Sequence, residues 1–418
     1  MVPHQPSDTS RTDPSPRNLP IVAMGATVAF CLLGDSMLYA VLPTRMDELT
    51  LTAVQVGWLL SINRFVRLFT NPLAASLFER FQFKSLFSMA VLLSVLSTAS
   101  YGYTGSFAWL LGTRVCWGFC WSILRLAGYL AILSPEGPPQ HGKAMGLFVQ
   151  VYRSGMLAGL LLGGPLTDLL GYRNTALFLA GLTILGFSTL RHWPSVGRSK
   201  RSEKTPSALN ALIHPPHLLL NFTALGASTI VAGLVGATAG YCLKQNFGDL
   251  HMRLGTLRLS ITTLTAALLS SQHAYSLLLA PSLGRLTDRL NASRAGQLGL
   301  GLLLVGSATL LLAPGLTWIL VSHLIVFLGG SLLSIALPVE IGRAATAPNR
   351  SYALAAQATW SDLGAAAGPI LGYFLAERLG LLWGYGLAMG LAALLILLRA
   401  TRKSSATLHR GKGERNVV

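Results

Sequence analysis

An internal repeat is the feature of this sequence that most restricts its fold. The second half of the chain repeats the first at an offset of 209 residues, which is half of the 418 residues. One repeated stretch aligns Pro72, Leu77, Glu79 and Arg80 with Pro281, Leu286, Asp288 and Arg289. Another aligns Gly155, Gly159, Gly163, Asp168 and Gly171 with Gly364, Gly368, Gly372, Glu377 and Gly380. A repeat of this length predicts a molecule built from two related bundles.

Long apolar segments indicate what these bundles are made of. Hydrophobic residues make up 52% of the chain and charged residues 11%, whereas soluble domains contain about 25% charged residues. A helix of about 17–25 apolar residues crosses the hydrocarbon core of a membrane. The chain contains twelve such segments, numbered here as spans 1 to 12: 19–43, 53–78, 85–103, 107–133, 143–167, 174–190, 217–244, 260–283, 295–313, 316–338, 351–376 and 379–398. The sequence therefore predicts an all-α membrane protein with twelve transmembrane helices in two pseudo-symmetric six-helix bundles.

The placement of the basic residues indicates the orientation in the membrane. The formal net charge is +17, a value that would also suit a nucleic-acid-binding protein. The two terminal segments and the loops after spans 2, 4, 6, 8 and 10 contain 21 of the 32 Lys and Arg residues when Lys143 at the start of span 5 is included, and the other loops contain 5. Because Lys and Arg accumulate in cytoplasmic loops, we expect both termini in the cytoplasm. The expected location is the cell inner (plasma) membrane, with the lipid bilayer and not a nucleic acid as partner.

Polar stretches divide the chain into five parts. Residues 1–18 are rich in Ser, Pro and Asp and predict a disordered cytoplasmic tail. Six-helix bundles at 19–190 and 217–398 flank a cytoplasmic linker at 191–216, and a basic cytoplasmic tail follows at 399–418. Because two halves in one chain supply a complete pathway, we expect a monomer. The four cysteines form no CxxC motif or Cys/His cluster, so the sequence predicts neither a metal site nor a cofactor.

A short charged turn follows span 2, and another follows span 8. The second has the sequence GRLTDRLN at 284–291, followed by Arg294, whereas the first, at 75–84, lacks glycines at 75 and 82. With two six-helix halves and a central linker, these turns resemble the signature G-x-x-x-D/E-R-x-G-R-K/R of the major facilitator superfamily, over roughly residues 19–400. The resemblance implies gating roles for Glu79, Arg80, Asp288 and Arg289. Loss of the glycines implies a looser closure beside the first turn.

Two further patterns match the same family in part. On span 4, RVCWG at 114–118 approaches the family pattern R-x-x-Q-G, with Trp in place of Gln. On span 5, GMLAGLLLGGP at 155–165 resembles a glycine and proline pattern of exporters that work by antiport, and GAAAGPILG at 364–372 is its counterpart on span 11. Small residues at every fourth position allow a neighbouring helix to approach closely, and proline allows a kink. Gating is one hypothesis for Gly159, Gly163, Pro165, Gly368 and Pro369, and ordinary tight packing is the other.

Ionisable residues inside the spans are the main candidates for function, because such residues are costly in a membrane and generally face a cavity or a partner. They are Asp35, Arg64, Arg67, Arg114, Arg125, Arg153, Lys244, His273, His323 and Asp362. Spans 3, 6, 9 and 12 carry no charged side chain. The family resemblance implies that these four spans face lipid and that spans 1, 4, 7 and 10 line a central cavity. The repeat offset pairs Asp35 with Lys244, Arg114 with His323, and Arg153 with Asp362.

Asp35 and Arg114 are expected at similar depths in the membrane. Asp35 lies about nine residues before the outer end of span 1, and Arg114 lies about eight residues after the outer start of span 4. Because a helix rises 1.5 Å per residue, the two side chains lie at similar heights. The two residues are therefore expected to form an ion pair, and protonation of Asp35 would release Arg114 and couple proton movement to a conformational change. A purely structural pair is the alternative. His323 and Asp362 complete the predicted proton-coupling set, although a lone histidine in a membrane more often has a structural role.

An excess of positive charge predicts the class of substrate. Of the ionisable residues named above inside the spans, six are Lys or Arg and two are Asp. Because unpaired buried cations are strongly unfavourable, this excess favours an anionic or carboxylate-bearing small molecule. The predicted substrate-binding residues are Arg64, Arg67, Arg114, Lys244, His273, Gln272 and Trp360, with Arg153 assigned to a gate on span 5.

Together, these features predict a secondary transporter of a small organic solute that works by alternating access. A proton-coupled exporter is preferred because of the span 5 pattern and Asp35, with an organic-anion importer or exchanger as the alternative. A membrane-embedded enzyme is disfavoured, because the sequence lacks an H-E-x-x-H motif, an acidic pair for a metal and a phosphate-binding glycine loop. A transporter-derived sensor or scaffold remains a third hypothesis, because relaxed constraint would leave a degraded turn such as 75–84.

Overall fold

The computed structural model describes eight stretches of the chain. They are residues 19–103, 106–133, 141–193, 215–248, 252–254, 257–312, 315–344 and 350–413. The predicted tail at 1–18 and most of the predicted linker at 191–216 lie outside the described residues. The described part is helical apart from short turns and one hairpin.

The first half contains spans 1 to 6. Its helices are Leu19–Thr44, Ala53–Arg80, Phe83–Tyr101, Phe107–Leu133 and His141–Ile184, followed by the 3-10 helix Leu185–His192. The segment His141–Ile184 consists of two helices, span 5 and span 6, which meet at a kink at Gly171, where φ is 78°. Glycine permits this left-handed value without a steric penalty.

The second half contains spans 7 to 12. Span 7 is made of Pro215–Ser228, the π-helix Thr229–Val235 and Ala239–Phe247. Span 8 is made of Ile261–Ala274, the π-helix Tyr275–Leu279 and Ala280–Leu290. Spans 9 to 12 are Ala292–Leu312, Leu316–Ala344, Arg350–Arg378 and Leu381–Gly413. Between spans 7 and 8, strands β1 (Met252–Leu254) and β2 (Leu257–Leu259) pair antiparallel, with Met252 opposite Leu259.

The last helix extends beyond the apolar segment at 379–398. It continues to Gly413, so the segment predicted as a basic tail begins as helix. Arg399 is buried in this extension and forms an ion pair with Glu340 of span 10 at 2.6 Å. This contact fixes the start of the extension against the second bundle.

Eight of the described helical segments are long and apolar enough to cross a membrane, and one of them, Gly146–Thr189, holds both span 5 and span 6. Spans 2, 8 and 11 are not among the eight. These spans carry polar residues such as Arg64, Arg67, His273 and Asp362, which lower their mean hydropathy. Spans 2, 8 and 11 all contribute polar side chains to the centre of the bundle.

The two ends of the bundle differ in composition. We use "terminal end" for the end at which span 1 begins and spans 6 and 12 finish, and "distal end" for the other. Exposed aromatic side chains lie close to the distal ends of several spans: Trp58, Tyr103, Trp109, Trp318 and Trp383. Tryptophan and tyrosine are enriched where a membrane meets water, so this ring marks the distal membrane surface.

Spans 3, 6, 9 and 12 lie at the periphery. Each exposes large apolar side chains, among them Leu92 and Leu96 of span 3, Leu177 and Phe178 of span 6, Leu298 and Val305 of span 9, and Leu394 and Leu397 of span 12. These exposed apolar faces agree with the expectation that the four spans lie on the outside of the bundle.

The halves pack against each other at the distal end. Spans 2 and 11 pack together there, as do spans 5 and 8, and one apolar core cluster of the first half includes Ala237 and Tyr373 of the second. Small residues make this possible: a Cβ atom at Gly57 would lie 2.9 Å from the carbonyl oxygen of Pro369, and one at Gly164 would lie 2.6 Å from Cβ of Ala266. The distal end is consequently closed.

Candidate functional site

A cavity of about 1000 Å³ lies between the two halves. The residues that line it come from spans 1, 2, 4, 5, 7, 8, 10 and 11, which are the spans with ionisable residues. On span 4 the lining runs from Trp117 to Tyr129, and on span 10 from Gly330 to Pro338. Both stretches run from the middle of the helix toward the terminal end. Because the distal end is closed, the cavity faces the terminal end.

An aromatic surface forms the first-half wall of the cavity. Trp117, Trp121, Arg125 and Tyr129 are spaced four residues apart on span 4, so they share one face of the helix. The ring centroids of Trp117 and Trp121 are 6.5 Å apart, and Trp121 meets Tyr152 of span 5 edge-on at 5.5 Å. The sequence prediction did not include the aromatic residues of this surface, although their spacing beside Arg125 was a signal for it.

Four arginines also line the first-half wall: Arg64, Arg67, Arg125 and Arg153. Arg64 donates a hydrogen bond to the carbonyl oxygen of Ala365 in the second half and lies 5.7 Å from the centre of the Tyr39 ring. Arg67 donates from Nε to the carbonyl oxygen of Asn63 at 3.2 Å. Within the described part of the chain, neither Arg67 nor Arg153 has a carboxylate within 4 Å.

Asp35 and Arg114 form the predicted ion pair. The pair is almost fully enclosed, with the Arg114 side chain 1% exposed and the Asp35 side chain 7% exposed. Arg114 also donates from Nε to the carbonyl oxygen of Leu59 at 2.8 Å. Asp35 lines the cavity, whereas Arg114 lies behind it, so a solute would meet the carboxylate before the guanidinium.

The second carboxylate of the cavity also has an arginine partner. Asp362 of span 11 lies 3.7 Å from Arg125 of span 4, and both side chains are partly exposed. This ion pair joins the two halves across the cavity. Among the described residues, four arginines and two aspartates line the cavity, so these side chains give its wall a charge of +2 before Arg114 is added.

The second-half wall is smoother than the first. It supplies nineteen lining residues, of which ten are Gly, Ala or Ser. Gln272, His273 and Gln357 are its main hydrogen-bonding side chains besides Asp362. The structure therefore brings Gln272 and His273 to the cavity, as the sequence predicted for substrate-binding residues.

Besides Arg114, three residues predicted for substrate binding or proton coupling lie outside the cavity lining. Lys244 is near the distal end and pairs with Asp47 of the first half at 2.5 Å. His323 is fully buried, with Nδ1 2.7 Å from the carbonyl oxygen of Ile319. Trp360 packs against Phe222, with ring centroids 4.8 Å apart. Their spans border the cavity, but their own helical faces do not.

The predicted equivalence of Asp35 and Lys244 is wrong, because span 7 is shifted in register. In the first half, Cβ at Gly159 would contact the carbonyl oxygen of Leu33. At Gly368, which the repeat relates to Gly159, the corresponding contact is to the carbonyl oxygen of Thr229. Thr229 follows Leu33 by 196 residues, whereas the repeat offset is 209. The β-hairpin lengthens the loop after span 7, so the repeat offset fails there.

The glycine patterns of spans 5 and 11 pack within each half. A Cβ atom would lie 2.5 Å from the Leu33 carbonyl oxygen at Gly159, 2.7 Å from Met37 Cγ at Gly163 and 2.6 Å from Gly233 Cα at Gly368. Pro165 and Pro369 lie inside the same helices. In this conformation the patterns hold span 5 against span 1 and span 11 against span 7.

The charged turns at the terminal end differ in conformation. Asn291, at a position where the family pattern has glycine, has a φ of 72°, and Asp288 lies 3.9 Å from Arg343. Gln82, the counterpart of Asn291 in the first turn, has a φ of −66°. Arg80 and Arg289 are exposed, and the side chain of Glu79 lies outside the described residues. The first turn thus avoids the left-handed backbone that a glycine at 82 would allow.

Two acidic residues hold the distal end, and the sequence prediction gave them no role. Asp168, at the end of span 5, accepts hydrogen bonds from Ser260 and from Thr263 at 2.5 Å, both in the first turn of span 8. Glu377, at the end of span 11, accepts from the backbone N–H of Val54 at 3.0 Å, in the first turn of span 2. Asp168 and Glu377 are related by the 209-residue repeat, which was the signal for a shared role.

Solved structures share this fold. A mutant of the nucleoside transporter NupG superimposes with a TM-score of 0.76 over 92% of this chain and 99% of that one, at 10% identity. A bacterial homologue of the human lysosomal transporter Spinster, in an inward-facing and occupied conformation, has a TM-score of 0.71 over 91% and 94% of the two chains, at 16% identity. At these identities the likeness shows the fold alone.

Sequence relatives match over shorter stretches. The synaptic vesicular amine transporter of Mus musculus is 26% identical over 179 residues, 43% of this chain and 35% of that protein. YhcA of Bacillus subtilis (strain 168), an uncharacterized MFS-type transporter, is 31% identical over 134 residues, 32% of this chain and 25% of that protein. The chain thus spans about a third or less of the length of these curated relatives.

The family model described as Major Facilitator Superfamily matches residues 24–339 and 243–417. These two matches include both six-helix halves and all the residues that line the cavity between them. The likeness to solved transporters extends over the same helices. The chain therefore belongs to the Major Facilitator Superfamily, and its long apolar helices indicate a multi-pass membrane protein.

Proposed function

We propose that the protein is a secondary transporter that carries a small organic anion by alternating access. The observation that supports this most directly is the pair Arg67 and Arg153, which line the cavity and have no carboxylate within 4 Å among the described residues. Fixed cations inside a membrane-spanning bundle are costly, and a counter-charge lowers that cost. A substrate carboxylate or phosphate supplies that counter-charge.

The conformation supports loading from the cytoplasm. The excess of Lys and Arg in the loops of the terminal end favours a cytoplasmic position for that end, and the cavity faces it. A solute would enter from the cytoplasm, and release on the other side would require the distal contacts of Asp168 and Glu377 to break. We propose that the protein does this as a monomer in the plasma membrane, since both walls of the cavity come from one chain.

Proton coupling is proposed to run through Asp35. The carboxylate faces the cavity and neutralises Arg114 behind it. A proton on Asp35 would remove the counter-charge of Arg114, and a buried unpaired charge costs about 3–5 kcal/mol. The protein would relieve this cost by rearranging spans 1 and 4 or by binding an anion there. Together with the loading side, this favours proton-coupled export.

An amine carrier is the second candidate, because the vesicular amine transporter matches 43% of this chain. An amine needs a carboxylate that is free to bind it. Both carboxylates of the cavity, Asp35 and Asp362, lie beside arginines. The charge of the cavity therefore favours the anion over the amine.

Exchange in proteoliposomes tests the proposal. The purified protein would be loaded with separate pools of aryl carboxylates, aliphatic carboxylates and organic amines, and uptake of labelled members would be measured with a pH-sensitive dye inside. We expect exchange of a carboxylate pool, a fall of about tenfold or more in Arg67→Gln and Arg153→Gln, and loss of the accompanying pH change in Asp35→Asn.

The matched control is Arg173→Gln, which removes an exposed arginine outside the cavity and should leave exchange unchanged. Exchange of amines without exchange of any carboxylate would refute the anion proposal. Carboxylate exchange that keeps its pH change in Asp35→Asn would refute only the coupling role of Asp35.

A further inference from the structure

We infer that the substrate carries a flat aromatic ring next to its acidic group, and that the first half of the protein binds both parts. The inference rests on the proposed anion transport and specifies its substrate. Nine of the fourteen cavity residues from the first half are arginines or aromatic residues. Among the nineteen described lining residues from the second half, none is Arg, Lys, Phe, Tyr or Trp. The two binding chemistries are therefore confined to one wall.

The geometry of span 4 places these chemistries side by side. Trp121, Arg125 and Tyr129 follow one another at four-residue intervals on the cavity face, which is a rise of about 6 Å per interval. Trp121 and Tyr129 are about 12 Å apart along the helix axis by the same rise. A group of one or two fused rings fits between them, with its acid at Arg125.

Span 5 extends the same surface. Tyr152 meets Trp121 with an interplanar angle of 79°, so the two rings form a corner and not a flat sheet. Arg153, the next residue, also lines the cavity. A planar ring in this corner contacts one aromatic face and one aromatic edge, which is the arrangement that aromatic pairs prefer. The acidic group of the ligand then lies close to Arg125 and Arg153.

The smooth second-half wall is suited to covering a flat ligand. Ten of its nineteen cavity residues are Gly, Ala or Ser, and small residues allow a surface to approach closely without rearranging long side chains. Arg64 already spans the gap between the halves to the carbonyl oxygen of Ala365. A thick, saturated ring system would hold the walls apart, whereas a planar one lets them close.

Isothermal titration calorimetry with two matched acids tests the inference. 2-Naphthoate and decahydronaphthalene-2-carboxylate have the same carbon count and the same acid, but only the first is aromatic and flat. We expect the wild-type protein in detergent to bind 2-naphthoate about tenfold or more tightly than the saturated acid. In Trp121→Leu and in Tyr129→Leu, the ratio should fall to about twofold or less. Trp121→Phe keeps an aromatic ring and should keep most of the affinity ratio. A ratio that is kept in Trp121→Phe and lost in Trp121→Leu is then attributed to the ring and not to a folding defect.

Trp318→Leu is the control, because Trp318 is an exposed aromatic residue of span 10 that lies outside the cavity lining; its ratio should stay at the wild-type value. A wild-type ratio near one, or a ratio unchanged in both leucine variants, would overturn the aromatic inference. If both acids bind equally and Arg67→Gln weakens both, the anion site stands without the ring site. If neither acid binds but 2-naphthylmethylamine does, the anion proposal itself fails.

Discussion

Asp362 occupies the place that a substrate acid would take beside Arg125. The two side chains are 3.7 Å apart, and Asp362 is 34% exposed, against 7% for Asp35. An ion pair that is open to water is weak, at about 0.2–1 kcal/mol, so a solute carboxylate can replace it. A buried pair such as Asp35 and Arg114 resists replacement more strongly, because each partner would be left as an enclosed charge.

The variant Asp362→Asn should therefore bind anions more tightly. Removing the competing carboxylate frees Arg125, and the weak pair corresponds to a gain of up to about fivefold in affinity, at 1.4 kcal/mol for each factor of ten. Half-saturation of exchange by the preferred carboxylate measures this gain. Asp288→Asn is the control, since Asp288 is also acidic and exposed but pairs with Arg343 outside the cavity. Weaker anion binding in Asp362→Asn would show that Asp362 serves the substrate directly.

Single residues also show how far sequence reasoning reaches. Arg64, Arg67 and His273 were predicted in the cavity and line it, because a charged residue inside a span has few other favourable positions. Lys244 and His323 were predicted as site residues for the same reason, but they lie outside the cavity lining. Which face of a helix turns inward depends on packing with its neighbours and on register shifts such as the one in span 7. The repeat offset does not contain that information.

At the scale of helices, the distal contacts depend on helix polarity. The first turn of a helix carries unpaired N–H groups and partial positive charge, so a carboxylate there is stabilising. Asp168 contacts the first turn of span 8, and Glu377 contacts the first turn of span 2. In each case the acid and the helix start belong to different halves. The repeat has thus placed an acid at a helix start twice across the interface, where Asp168 accepts from side-chain hydroxyls and Glu377 accepts from a backbone N–H.

Removing both acids should favour the state that is open at the distal end. Each contact of this kind is worth about 0.3–1 kcal/mol, so Asp168→Asn with Glu377→Gln should shift the ratio of distally open to closed molecules by roughly 3- to 30-fold. Spin labels at Glu48 and Gln245, which are exposed on opposite halves of the distal end, would report this as a larger long-distance population. Arg173→Gln, which changes an exposed side chain outside these contacts, should leave the distribution unchanged. An unchanged distribution in the double variant would show that apolar packing alone closes this end.

Helix boundaries and helix partners were predictable to different degrees. The twelve apolar segments matched the helices because hydrocarbon thickness sets a minimum length. The extension of span 12 to Gly413 was not predicted, because Arg399 looks like a tail residue until Glu340 is placed beside it. Long-range ion pairs of this kind leave no local pattern in the sequence.

For the molecule as a whole, the repeat gives two similar scaffolds with different inner surfaces. The first half presents arginines and aromatic rings, and the second presents small residues, Gln272 and Asp362. Equal scaffolds allow the halves to rock symmetrically about the cavity, whereas unequal surfaces let one half hold the solute and the other cover it. The twelve-helix fold followed from the sequence, but the closed distal end did not, since one sequence serves every state of a transport cycle.

The central claim is that solute crosses only when the distal end opens, and linking that end closed tests it most directly. Asp47→Cys and Lys244→Cys would replace an ion pair between the halves at the distal end, in a background without Cys31, Cys116, Cys120 and Cys242. After treatment with a short bis-maleimide, the double variant should still bind its carboxylate through the terminal end but should lose exchange in proteoliposomes. Each single-cysteine variant should keep exchange after the same treatment. Undiminished exchange in the fully linked protein would contradict alternating access through this cavity.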